Sequence, residues 1–257
     1  MAECVYLRQI ILIVRGYMYL AHRIGLIILL VFSFNSVASV VMTNTRVIYY
    51  ESQSDNGMQF SNKDDFPYLV QVWVDEGNPS STIQTQSDKF SVVPPIFRIE
   101  ANSGQRIRVF NTNKALPKDR ESVFYLNMVQ IPPTSKAAEK ENKMLIVLKN
   151  RVKLFYRPTD LQDSVEEIDR NLSFSVSNTN GWQVVAQNNS SYHVTINNIV
   201  LKSGDKTWPI ENSMLTPKSM LHWTLNDFDP SLTNYEVDFY LINDFGAHVK
   251  KSYSIKL

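Results

Sequence analysis

The sequence predicts an all-β protein built from two sandwich domains. Short runs rich in Val, Ile, Phe and Tyr recur along the chain, and turn-forming clusters such as Ser54-Asp55-Asn56-Gly57, Glu76-Gly77-Asn78-Pro79 and Asn102-Ser103-Gly104 separate them. Residues 68 to 77 alternate cleanly: Tyr68, Val70, Val72 and Val74 fall on one face, and Leu69, Gln71, Trp73 and Asp75 on the other. The valine face is the expected core. A length of 257 residues suits one large domain or two of sandwich size, and the polar stretch Thr159 to Asn171 divides two strand series near residue 160. The domains are therefore expected over 39–160 and 161–257.

At the N-terminus, Arg15 and Arg23 are followed by an apolar run from Ile24 to Phe34. Ser36-Val37-Ala38 then supplies small residues at the positions that determine cleavage. Residues 1–38 read as a secretory signal cut after Ala38; the apolar run is short for a membrane span and lacks a basic stop-transfer flank. No membrane insertion is expected once it is removed. The single cysteine, Cys4, lies in this leader, so the mature chain has no intramolecular disulfide and its stability must come from core burial. Thiol catalysis is excluded with it.

Residues 144 to 158, Met-Leu-Ile-Val-Leu-Lys-Asn-Arg-Val-Lys-Leu-Phe-Tyr-Arg-Pro, read as one long strand with an apolar start, a basic middle and a Pro stop. Met144, Ile146 and Leu148 share one face, and Leu145 and Val147 the other. An anonymous apolar run of this kind is more often a core strand covered on both faces. Lys149, Arg151 and Lys153 argue instead for an exposed edge, because a sheet interior would have to pair or expel each charge. The even-numbered apolar set and the odd-numbered Lys153 must both be accessible, which calls for a bulge or pronounced twist between Lys149 and Val152. Thr134 to Lys143, short and charged, reads as a mobile loop before this strand.

The second series comprises Leu172 to Val176, Trp182 to Val185, Tyr192 to Leu201, Leu221 to Leu225, Tyr235 to Ile242 and Val249 to Ile255. Regular spacing with turns between again suggests a sandwich.

Chemistry is sparse. Lys and Arg number 26 against 25 Asp and Glu, a net charge of +1, so there is no electrostatic case for a nucleic-acid partner. The sequence has no G-x-S-x-G elbow, phosphate loop, H-E-x-x-H or cysteine pair, so no catalytic, cofactor or metal site is expected. His193, His222 and His248 are scattered and read as surface or hydrogen-bonded structural residues. Asp119-Arg120-Glu121 reads as a solvated turn with one ion pair, since neighbouring strand residues face opposite ways. Taken alone, Arg46, Lys153 and Arg157 are ordinary solvated or edge-protecting residues.

A resemblance changes their weight. "TRVIY" at 45–49, "VPPIFRIEANSGQRIRV" at 93–109, "LPKDRESVFYLNMVQIPP" at 116–133, "RVKLFYRP" at 151–158 and "INDFGA" at 242–247 resemble, in order, the periplasmic pilus-assembly chaperones of the PapD-like family. The resemblance implies two immunoglobulin-like sandwiches set at an angle, with a cleft between them. It implies that Arg46 and Lys153 hold the C-terminal carboxylate of a pilus subunit. Met144, Ile146 and Leu148 would then enter the groove of a subunit that lacks a strand, and Glu121, Arg157 and Asp244 would form an ion network between the domains. The short loop without nearby cysteines resembles the subfamily that assembles rod-like pili.

The function implied is that of a periplasmic chaperone that donates a strand to fimbrial subunits and delivers them to an outer-membrane usher; self-association of the free form stays open. The alternative is a secreted two-domain fibre subunit or adhesin. A pilin should offer a donor extension at its mature N-terminus and a cysteine pair, and this chain offers neither.

Overall fold

Residue alternation builds the first sandwich. The computed structural model describes residues 18–19, 22–23, 25, 39–53, 56–112, 115–134, 144–179 and 181–256. Most of the expected leader, 1–38, lies outside the described residues, as does the loop beyond Thr134. No helix among the described residues is long and apolar enough to cross a membrane.

Strands β1 (Val40–Met42), β3 (Asn56–Asn62), β7 (Gly104–Asn111) and β5 (Phe90–Val93) form one sheet in the order β1-β3-β7-β5. Strands β2 (Arg46–Tyr50), β9 (Leu148–Arg157), β8 (Ser122–Ile131), β4 (Tyr68–Asp75) and β6 (Ile96–Ile99) form the other, in the order β2-β9-β8-β4-β6. Val70, Val72 and Val74 of β4, with Leu126 and Met128 of β8 and Leu154 of β9, turn into the shared core against Phe60 and Ile107. Each such side chain contributes about 1.5 to 3 kcal/mol by burial. This core replaces the missing disulfide.

The opposite face of β4 is not the solvent face that alternation suggests, since Trp73 and Asp75 are buried too. The connection from β4 to β5 folds back over them, and Trp73 Nε1 donates to Ser81 Oγ at 3.0 Å.

The second sandwich packs a three-stranded sheet on a five-stranded one. The first sheet has the order β10 (Leu172–Ser177), β11 (Gln183–Asn188), β15 (Ser219–Thr224). The second runs β13 (Lys206–Ile210), β12 (Val194–Ser203), β16 (Asn234–Ile242), β17 (His248–Lys256), with β14 (Ser213–Leu215) also on β12. Phe174, Val184, Ile196, Leu201, Val237 and Ile255 are among its core residues. β13 carries Pro209 and was not expected as a strand from the sequence. It is tolerated because β13 is an edge, where one side of the ladder needs no donor. Both sandwiches belong to one compact unit, Val40–Leu257.

Two expectations about residues 144–158 are corrected. Regular strand begins only at Leu148, because β8 pairs Gln130 with Leu148 and is soon followed by Pro132-Pro133, which carry no amide protons to extend the ladder. No bulge intervenes either: the β8–β9 register is continuous from Leu148 to Tyr156. None is needed, because the even and odd residues serve different faces. Val152 and Leu154 continue into the core, whereas Lys149, Arg151, Lys153, Phe155 and Arg157 share the outward face.

Candidate functional site

Strand β2 lies parallel to β9 and pairs Arg46 with Lys153, Ile48 with Phe155 and Tyr50 with Arg157. It covers β9 only from Lys153 onward. Residues 148–152 of β9 therefore have β8 on one side and, among the described residues, no strand on the other. The run leading into them is exposed: Met144 by 89%, Ile146 by 66% and Leu148 by 48%. It is no core strand.

Arg46 and Lys153 sit where the uncovered edge ends. Arg46 Nη1 donates to the carbonyl of Ile242 in the second sandwich at 3.0 Å, and its guanidinium lies 5.8 Å from the centre of the Phe155 ring. Its Nε is buried without a partner. Among the described residues Lys153 Nζ has one long contact, 3.4 Å, to Thr195 Oγ1. Neither cation forms an ion pair with a described residue. Burial pushes the Arg46 pKa down, opposed by the fields of Asp244 and Glu121. Burial also lowers that of Lys153, and the neighbouring charge of Arg46 lowers it further. Two half-desolvated cations side by side are chemically suited to an anion.

A second basic group on the same strand is saturated. Arg157 donates from Nη2 and Nε to Glu121 Oε1 (2.9 and 3.2 Å), and from Nη1 and Nη2 to Asp244 Oδ2 and Oδ1 (2.7 and 3.2 Å). Burial alone would lower its pKa, but hydrogen bonds and charge from the two carboxylates outweigh this and raise it. Glu121 spends its other oxygen on His193, accepting the backbone N–H at 2.8 Å and lying 3.0 Å from Nδ1. Glu121 precedes β8 of the first sandwich, while His193 and Asp244 belong to the second, so the cluster spans the domains. The expected solvated turn holds for Asp119 and Arg120, which pair at the surface, but not for Glu121, which turns inward.

Between the sandwiches lies a cavity of about 590 Å³, lined by Arg46, Ile48, Tyr50 and Phe155 on one side and by Ile168, Leu241 and Phe245 on the other. The turn from β16 to β17 lines one edge of it. Gly246 there has φ of 82°, and any Cβ would collide with Thr45 Oγ1 of the β1–β2 connection. Among the described residues no group of three His, Cys, Asp or Glu is arranged to hold a metal ion.

One cluster was missed from the sequence. Asp75, 2% exposed, accepts from Asn127 Nδ2 (2.6 Å), Arg151 Nη2 (2.7 Å) and Nε (3.2 Å), the Gly77 amide (2.7 Å) and Ser81 Oγ (2.9 Å). Burial would raise its pKa, but the hydrogen bonds, led by that of Arg151, together hold it at about 2. The signal was present in Asp75 and Trp73 on one face of β4 and Arg151 on the matching face of β9. Reading it required the β4–β8–β9 register.

Two sandwiches with their polar groups gathered between them define a two-domain β-sandwich protein built around a charged interdomain cleft. Two family models match consecutive parts of the chain: the N-terminal domain of PapD, a pili and flagellar-assembly chaperone, over residues 39–162, and the C-terminal domain of the pili assembly chaperone PapD over 167–253. The chain belongs to the PapD family of pilus-assembly chaperones. It is 34% identical over 223 residues to the probable fimbrial chaperone YadV of Escherichia coli K12, covering 85% of this chain and 91% of that one. It is 32% identical over 238 residues to the chaperone protein MrkB of Klebsiella pneumoniae, covering 91% and 99% respectively. The crystal structure of the YadV chaperone superposes with a TM-score of 0.70 at 31% identity, over 84% of this chain and all (100%) of that one. The SafB chaperone of Salmonella enterica, solved in complex with SafA pilin, matches with a TM-score of 0.67 at 25% identity, over 87% of this chain and 98% of that one.

Proposed function

We propose that this chaperone works in the periplasm, after removal of residues 1–38, with domains 39–160 and 161–257. It captures pilus subunits by donating a strand and passes them to an outer-membrane usher. One observation carries this reading: the uncovered edge of β9 ends at two cations that have no carboxylate of their own. A chain laid beside residues 148–152 in line with β2 would run parallel to β9 and bring its C-terminal carboxylate to Arg46 and Lys153. Every chain end carries that charge, so the anchor fixes register without reading sequence.

With the end fixed, Met144, Ile146 and Leu148 meet the groove left by the subunit's missing strand. Each burial supplies about 1.5 to 3 kcal/mol before ordering costs. Arg157, held by Glu121 and Asp244, keeps the two domains in the relation this geometry needs. The short loop before the donor segment fits the class that serves rod-like pili. The fibre-subunit alternative is not favoured by the chaperones among the relatives.

Ile146→Asp tests the reading directly, because an unpaired carboxylate cannot enter an apolar groove. The variant is expected to fold normally, since Ile146 is exposed in the free chain, and to lose soluble complexes with co-expressed subunits. Recovery of those complexes from the periplasm in wild-type amounts would overturn strand donation.

A further inference from the structure

A strand with only one neighbour is a poor template, because its unpaired half frays. Residues 148–152 of β9 are in that position, yet this half is held from its outward face. Arg151 reaches across β8 to the Asp75 carboxylate, and its guanidinium lies 3.6 Å from the centre of the Tyr125 ring. Lys149 Nζ donates to the carbonyls of Pro79 and Ser81, both at 2.9 Å, and lies over Trp73 at 5.0 Å. Ser81 Oγ donates in turn to Asp75. The β4–β5 connection, β4 and β8 thus converge on Lys149 and Arg151, close behind the apolar segment and on the stretch where β2 is absent.

We propose that Asp75 is a positioning residue for strand donation: through Arg151 and the Ser81 turn it clamps the first half of β9, so that the open edge is already ordered when a subunit arrives. The proposal rests on the strand-donation reading. Asp75 touches no subunit in it and acts only through β9. Order present beforehand lowers the entropy lost on binding, which is where a clamp on a one-sided strand has its effect. The arrangement also explains why Lys149 and Arg151 occupy this strand at all, since neither lies at the carboxylate anchor.

Asp75→Asn keeps the shape of the side chain and removes its charge. Hydrogen exchange on the purified chain is expected to speed up about tenfold at the amides of 148–152 that bond β8, with those of Val70 to Val74 unchanged. A synthetic peptide with apolar residues at alternate positions and a free C-terminal carboxylate is expected to bind about tenfold more weakly than to wild type. Its carboxamide form reports whether the anchor is used. Lys149→Met, which disturbs no buried charge, should shift both readouts in the same direction by a smaller factor and covers the case in which Asp75→Asn does not fold.

Unchanged exchange at 148–152 overturns the proposal, as does exchange that rises equally across β4 and β8, the result of a purely structural role. Faster local exchange with undiminished peptide binding also overturns it. A wild-type chain that ignores the free-carboxylate peptide overturns instead the strand-donation reading, and with it the role assigned to Asp75.

Discussion

Lys153 and Arg157 share one face of β9 and each pairs in register with a residue of β2, yet their surroundings are opposite. Arg157 is surrounded by acceptors: both carboxylates are in hydrogen-bond contact, and Glu121 is further fixed by His193. Lys153 and its neighbour Arg46 are half-buried, and among the described residues their hydrogen-bond partners are a carbonyl and a hydroxyl. Arg157 is thus paired within the chain, whereas Arg46 and Lys153 form no ion pair with a described residue, as the proposed carboxylate anchor requires. A buried charge without a partner is a liability in the free protein. Such groups are commonest at functional sites, where a ligand supplies the missing partner.

The largest effect expected from breaking this contrast is on the saturated side. Arg157→Ala leaves Glu121 and Asp244 facing each other without a counter-charge and should lower unfolding free energy by about 3 to 5 kcal/mol, measured by denaturant titration. Glu121→Ala and Arg157→Ala should be strongly non-additive in a double-mutant cycle, and simple additivity would show that the domains are held by something else.

For Arg46 and Lys153 the expected outcome inverts. Arg46→Ala or Lys153→Ala should change unfolding free energy by less than about 1 kcal/mol, since no ion pair is lost. Subunit binding should fall by about 3 to 5 kcal/mol, because the carboxylate would be buried with half its counter-charge missing. Normal pilus assembly with both variants would end the anchor.

A smaller effect should come from the turn that joins the two environments. Gly246→Ala combines a positive φ with a collision against Thr45 and should destabilise by about 1 to 3 kcal/mol. It should also weaken subunit binding by shifting Asp244 and the Ile242 carbonyl together. Unchanged stability would mean that the turn is free to move away from the first domain.

The mildest perturbation is acid. The Asp75 pKa, about 2 in the folded chain, lies below the unfolded value of about 4, so its contribution is complete above about pH 4 and is lost as pH falls toward 2. Protection of the 148–152 amides, taken relative to the intrinsic exchange rate at each pH, should fall through that window in wild type, and a flat profile would separate the clamp from the titration of Asp75.

By itself the sequence determined what depends on neighbouring residues. Alternation in 68–75 set the valine face, and turn clusters marked the ends of the strands. The apolar run at 144–148 with charges close behind distinguished an open edge from a core strand. The roles proposed for Arg46, Glu121, Lys153, Arg157 and Asp244 came only through resemblance, because each motif alone describes an ordinary surface residue. Tertiary structure decided the rest. Arg46 meets the Ile242 carbonyl across 196 positions of sequence, and Asp75 meets Arg151 across 76. Those distances are closed by sheet register, which local propensity does not encode. The same register decided that β9 starts at Leu148 and that Trp73 and Asp75 are buried on the face opposite the valines. A strand's period says which residues share a face. Only its neighbours determine whether that face meets water, a core or a waiting ligand site.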